Sequence, residues 1–217
     1  MQQLDAAAIT TLGIPRLLLM EHDGLAVARA AHTHVPRGSV PVAVCCGTGF
    51  NGGDGLAAAR HLHAWGHPLR VLLAGSRQRL REEPAVYAAI LERLSVPLHE
   101  CTEPAQSADV ERWLSESGVV VDALLGIGMQ GPVRDPAAWM IRCINASGRP
   151  VIAADVPSGL DADTGRVQGI AVRATTTVTF GLPKQGCFLQ DGPAHTGQLV
   201  VDAITIPQTL LNAARRS

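Results

Sequence analysis

Val42-Ala43-Val44-Cys45-Cys46-Gly47-Thr48-Gly49-Phe50-Asn51-Gly52-Gly53-Asp54-Gly55-Leu56-Ala57-Ala58-Ala59-Arg60-His61-Leu62 decides the fold. The apolar run Val42–Cys46 reads as a buried strand, residues 47–55 as a glycine-rich turn, and Leu56 onward as a helix. A strand, a glycine turn and a helix start together form an anion site. The helix N-terminus carries unpaired N–H groups and a partial positive charge, and glycines let the backbone approach a phosphate. The stretch therefore points to a phosphate-bearing ligand.

Working outward, the spacing predicts a helix from Pro15 to about Val35, with Leu17, Met20, Gly24, Val27, Ala28 and Ala31 near one face. Pro36-Arg37-Gly38-Ser39 breaks it. After the glycine turn the helix runs to about Trp65 and closes at Gly66. Further strands are expected at Leu69–Leu73, Val96–His99 (weak), Val119–Asp122, Pro150–Asp155, Thr175–Phe180 and Gln198–Ile204. Helices are expected at Glu82–Leu94, Asp109–Ser117 and Asp135–Ala146. Strands alternating with helices imply an α/β fold with a mostly parallel central sheet covered on both faces. No repeat, low-complexity tract or linker divides residues 1–217, which are read as one domain.

Composition excludes several classes. A net charge of -1 gives no footprint for nucleic acid or an acidic membrane, and 3% aromatic residues leave no base-stacking platform. No run reaches the roughly 18 to 20 apolar residues of a membrane span. Met1-Gln2-Gln3-Leu4-Asp5 lacks the basic start and apolar core of a signal peptide. Five irregularly spaced cysteines do not make a disulfide framework, so a cytoplasmic location is expected. The eight histidines form no metal-binding pattern.

Three polar loops follow strands: Gly47–Gly55, Asp122–Pro132 and Asp155–Asp161. In open α/β sheets ligands bind beyond the carboxyl ends of strands, which brings these loops to one edge. Residues 47–52 spell Gly-x-Gly-x-x-Gly, but no acid that would bind a ribose follows the second strand before Glu82. Ordinary hydride transfer is therefore disfavoured, and Arg77 reads as a solvated loop arginine rather than a partner for a 2′-phosphate. Asp54 is expected at the helix start, as an N-cap, a ligand-orienting group, or both. Asp122 and the glycines after it either shape turns or place a carboxylate in the crevice. Asp155 and Ser158 either make local turn bonds or serve a ligand, since an acid ending a buried strand is costly unless used. Asn51, Asp122 and Ser158 offer hard oxygens with one formal charge, which suits a monovalent cation better than Mg²⁺ or Ca²⁺.

Taken together and in this order, the loops resemble the NAD(P)H-hydrate epimerase family over nearly the whole chain. Leu19-Met20-Glu21-His22-Asp23-Gly24 is similar to that family's Leu-Met-Glu-Asn-Ala-Gly, and Gly49–Gly55 to its Gly-Asn-Asn-Gly-Gly-Asp-Gly. Val121–Gly126, Asp155 with Pro157-Ser158-Gly159, and Thr179–Lys184 match three further motifs. The resemblance implies a Rossmann-like three-layer α/β/α fold and epimerisation of hydrated NADH and NADPH (NADHX and NADPHX) in nicotinamide nucleotide repair. It implies substrate contacts from Phe50, Asn51, Gly52, Gly53 and Asp54, from Gly126, Ile127, Gly128, Met129, Gln130, Gly131 and Pro132, and from Asp155. It implies one K⁺ per subunit on Asn51, Asp122 and Ser158, a possible homodimer, and a separate dehydratase acting on the product, because the chain stops at Ser217. Asp155 is the expected acid/base and electrostatic partner, and Lys184 a second proton donor or charge partner. The chain departs from the family at Phe50, His22, Asp23 and Thr48, with altered affinity the expected result. The alternatives are a catalytically silent nucleotide-binding or scaffold module of the same fold, and an ordinary NAD-dependent oxidoreductase.

Overall fold

A computed structural model describes residues 2–35 and 40–214; the Pro36–Ser39 break and the chain ends, Met1 and 215–217, lie outside the described residues. The elements in chain order are α1 (Gln2–Thr10), α2 (Arg16–His34), β1 (Val42–Cys46), α3 (Phe50–Ala64), β2 (Leu69–Leu73), α4 (Glu82–Arg93), β3 (Leu98–Glu100), α5 (Ser107–Ser115), β4 (Val119–Ala123), α6 (Ala137–Ala146), β5 (Val151–Ala154), β6 (Thr176–Phe180), α7 (Gly192–Thr196), β7 (Gln198–Asp202) and α8 (Gln208–Ala214). The strands form one seven-stranded sheet in the order β3-β2-β1-β4-β5-β6-β7. Each neighbouring pair is parallel.

The strands earn their places by burial. β1, β4, β5 and β6 are buried at every position, so their apolar runs are continuous rather than alternating. Side chains still alternate between faces. Val42, Val44 and Cys46 pack with α2, α3 and α4, whereas Ala43 and Cys45 pack with Val110 and Leu114 of α5 and Trp139, Met140 and Ile141 of α6. Cores on both faces give the three-layer α/β/α arrangement. Each fully buried leucine or isoleucine in them contributes about 1.5–3 kcal/mol.

The structure departs from the sequence expectation most at the start of α3 and on the buried face of α2, and α1, α7 and α8 have no counterpart in it. α3 begins at Phe50, not near Leu56, so the glycine run forms the helix's first turns instead of a loop. Glycine weakens a helix interior by about 1 kcal/mol relative to alanine, and close packing demands it here. A methyl group at Gly52 would lie 1.9 Å from the Gly47 carbonyl oxygen. α2 spans the expected residues, but Leu17 is exposed, and Leu19 and Asp23 join the buried face. α1 packs against α8 and inserts Leu4 and Ala8 into the core beside α2.

The chain winds from β1 outward to β3, then returns to β4 on the other side of β1. The order in which strands are added reverses between β1 and β4, and a crevice opens at their carboxyl ends. The Gly47 N–H donates to the Ala123 carbonyl at 2.9 Å, tying the two strand ends together at that point.

Candidate active site

A cavity of about 880 Å³ occupies this crevice, within the range that holds a nucleotide-sized ligand. Gly47, Thr48 and Gly49 lead into it from β1, and Phe50, Asn51 and Asp54 reach it from α3. Gly49 occupies the N-cap position without a side-chain cap, and Gly53 N–H makes an intrahelical bond to Gly49 O at 3.1 Å. The N–H groups of Phe50, Asn51 and Gly52 therefore start the helix without intrahelical acceptors. This corrects the expectation for Asp54: it is the fifth residue of α3 and not its N-cap.

The loop after β4 contributes Gly126, Ile127, Gly128, Met129, Gln130 and Pro132 to the cavity wall, and the loop after β5 contributes Asp155. Lys184 and Phe180 close the side beyond β6. Gly131 does not line the cavity. Gly52 and Gly53 lie behind its wall, Gly52 against Gly47 and Gly53 against Met20 of α2.

Asp155 ends β5 at φ 66°, a left-handed backbone that costs a non-glycine residue about 1–3 kcal/mol. The turn is held by its N–H donating to the Val178 carbonyl at 2.7 Å. Its Oδ1 accepts from the Phe180 N–H at 3.2 Å, the Thr179 hydroxyl at 3.3 Å and the Lys184 ammonium. Lys184 Nζ also donates to the Phe180 carbonyl at 3.0 Å. Both residues are buried, so this is an ion pair screened from water at the edge of a cavity.

Asp122 and Ser158 are fully buried beneath the cavity and do not line it. Asp122 Oδ1 accepts from the Ser158 hydroxyl at 2.6 Å and Oδ2 from the Ser158 N–H at 2.9 Å. Burial pushes the Asp122 carboxyl up to about 6, against the pull of these bonds from Ser158 and of the Leu124 N–H. The Ser158 hydroxyl in turn accepts from the Leu125 N–H at 2.9 Å, coupling the loops after β4 and β5. Asn51 packs against Gly126, the next residue of that loop, and both atoms of its buried side-chain amide lack a hydrogen-bond partner. The three oxygen-bearing residues are thus gathered around one corner where the loops after β4 and β5 meet the start of α3.

Several cavity residues were not among the expected site residues: Asp5 of α1, Arg16 and Asp23 of α2, and Arg134 and Asp135 before α6 are the charged ones. Arg16 sits 4.5 Å from the centre of the half-exposed Phe50 ring and pairs with Glu82 at 3.1 Å. Asp23 is buried on the α2 face that meets α3. Burial raises the carboxyls of Asp5, Asp23 and Asp54 above the ordinary range, and the charge of Asp155 adds to each. Arg77 is away from the site, paired with Glu92 at 2.6 Å. Among the described residues, no helix is long and apolar enough to cross a membrane, and no group of three histidine, cysteine or acidic side chains converges as on a metal.

The sequence is 44% identical to a bifunctional NAD(P)H-hydrate repair enzyme of Pyrobaculum aerophilum over 90% of this chain, which spans 39% of that protein. It is 39% identical to an NAD(P)H-hydrate epimerase of Limosilactobacillus fermentum, covering 93% of this chain and 92% of that protein. The crystal structure of yeast ynu0 superposes with a TM-score of 0.83 at 26% identity, covering 98% of this chain and 89% of that one. The model of the YjeF-related protein N-terminus matches residues 16–186, and the chain belongs to that family.

Proposed function

We propose that this protein epimerises the R and S forms of hydrated NADH and NADPH, as the name of its Limosilactobacillus fermentum relative describes. The observation that carries the reading is the buried Asp155–Lys184 pair at the edge of the cavity. In the hydrates a hydroxyl sits on the ring carbon beside the ring nitrogen. Protonating that hydroxyl lets it leave as water while the nitrogen lone pair forms an iminium. Water then adds to either face, and the centre inverts. The reaction needs a proton-transferring group near the hydroxyl and negative charge near the iminium. Asp155 supplies both, with Lys184 fixing its orientation and balancing its charge. The free N–H groups that open α3 are suited to the phosphates, and the loop Gly126–Pro132 to covering the bound dinucleotide.

K⁺ fits the corner formed by Asn51, Asp122 and Ser158. The unpartnered Asn51 amide oxygen and the buried Asp122 carboxylate are the hard donors, with one formal charge, that a monovalent ion takes. When bound, the ion supplies positive charge that neutralises Asp122 and orders the three loops. The five buried free cysteines accord with a reducing compartment such as the cytoplasm. A dehydratase acting on one of the two epimers is the natural partner activity.

The test is to incubate the protein with each separated hydrate and follow interconversion by chromatography, in potassium and in lithium buffer. Interconversion above the buffer blank, faster in potassium, is expected. A rate equal to the blank in both buffers rejects the epimerase in favour of a silent module of the same fold.

A further inference from the structure

The first residue of α3 leaves a large apolar ring in the open. Among the described residues, Phe50 is the one exposed large apolar side chain that lines the cavity, with 48% of its surface accessible. Arg16 of α2 lies over the ring at 4.5 Å from its centre and is held there by Glu82 at 3.1 Å. The ring is thus braced by α2 while half of it stays open at the cavity wall. An aromatic face is a platform for a planar base, and an arginine beside it suits the phosphates that accompany one. The scarcity of aromatic residues excludes the row of rings that a nucleic-acid surface uses, but not a single platform.

We propose that Phe50 is a specificity-determining residue, the stacking platform for the adenine of the dinucleotide, with Arg16 beside it. The proposal rests on the epimerase reading and concerns the half of the substrate that the reaction leaves untouched. The reacting nicotinamide ring belongs at Asp155, beyond β5. β4 lies between β1 and β5 in the sheet, so the ends of those two strands stand about 10 Å apart. Phe50, just beyond β1, therefore serves a different part of the substrate. The N–H groups of Phe50, Asn51 and Gly52 suit the phosphates, which join the two halves of the dinucleotide. A ring beside those groups and away from Asp155 meets the adenosine half. The family motif has asparagine at this position, so the ring adds recognition of the base and carries no step of the shared reaction.

The rest of the wall suits a planar apolar group. Ile9 of α1 and Ile127 and Met129 of the loop after β4 line the same cavity and are only partly buried, so they have apolar surface left to cover. Stacking tolerates any base, because every base has a π face. The ring therefore selects for the presence of a base rather than for its identity, and a hypoxanthine dinucleotide should be accepted as adenine is.

The test measures kcat/KM for the hydrate of NADH and for the hydrate of reduced nicotinamide mononucleotide, which lacks the adenosine half. Wild type is compared with Phe50→Asn, which installs the family's residue, and with Phe50→Tyr, which keeps the platform. Stacking on one base is worth about 5–150-fold. The preference for the dinucleotide should therefore shrink at least fivefold in Phe50→Asn, through KM, and by less than that in Phe50→Tyr. A smaller change in Phe50→Asn overturns the proposal, as does a Phe50→Tyr that loses as much preference as Phe50→Asn. Calorimetric binding of ADP-ribose keeps the two readings apart. A wild type that interconverts neither hydrate rejects the epimerase reading, yet ADP-ribose bound at least fivefold more tightly by wild type than by Phe50→Asn still supports the platform. ADP-ribose affinities closer than that reject the platform whatever the hydrates do.

Discussion

Replacing Lys184 with methionine isolates the interaction that the site depends on most. The methionine fills nearly the same volume, so little void is left. The Phe180 carbonyl that Lys184 contacts keeps the Leu182 N–H at 2.8 Å, so it is not orphaned. The loss falls on Asp155, which retains only the Phe180 N–H at 3.2 Å and the Thr179 hydroxyl at 3.3 Å. Two unit charges about 4 Å apart at an effective dielectric of 20 attract by about 4 kcal/mol. Breaking a buried pair by removing one partner costs about 3–5 kcal/mol. Lys184→Met should therefore lose about 3 kcal/mol at pH 7. With an m-value of about 2 kcal/mol/M the urea midpoint should drop by ~1.5 M. The double variant Asp155→Asn/Lys184→Met should recover most of that stability, because neither charge is then stranded. A single variant that loses under about 1 kcal/mol, or a double variant less stable than Lys184→Met, refutes the assignment of this pair as a tightly coupled buried one.

Gly52→Ala should destabilise by about 3 kcal/mol, because its methyl group would press on the Gly47 carbonyl and displace α3 from the strand end; a thermal midpoint within 2 °C of wild type would count against the close approach. The raised carboxyls of Asp5, Asp23 and Asp54 make the folded protein bind more protons than the unfolded chain at pH values above the ordinary carboxylate range. Stability from these groups is therefore greatest at low pH and lost as pH rises through their raised values, so the urea midpoint should be higher at pH 5 than at pH 8. A midpoint that climbs over that range contradicts the burial of uncompensated acid. Phe50→Ala should cost under 1 kcal/mol, since the ring is half exposed, yet raise KM severalfold by removing the surface on which Arg16 rests; steady-state kinetics with either hydrate separates that from an effect on kcat.

Local chemistry made most of the fold and three of the cavity's walls readable. β1 and β2 have the boundaries that their apolar runs predict, and the loops that follow β1, β4 and β5 gather at one sheet edge as the parallel arrangement requires. The start of α3 was harder to read. Glycine spacing suggests a loop, because glycine's poor helix propensity is a local quantity. The demand for glycine at residue 52 comes instead from the neighbouring backbone at Gly47. α1 offers no such local mark: it has no apolar stripe long enough to stand alone, and its role depends on Leu4 and Ala8 reaching a core built by distant elements.

Asp23 shows the same limit at the site. In the sequence it departs from the family motif at Leu19–Gly24, but nothing local marks it as buried rather than solvated. It becomes a buried acid only because α2 packs on α3 at Gly24 while Asp5, Asp155 and Asp202 arrive from three other elements. A carboxyl group's chemistry is set by the water it has lost and the charges around it. Neither is encoded within a few residues of its own position. Motif residues such as Asp155 and Lys184 can therefore be found along the chain, whereas the surroundings that bury Asp23 emerge only from the packed helices.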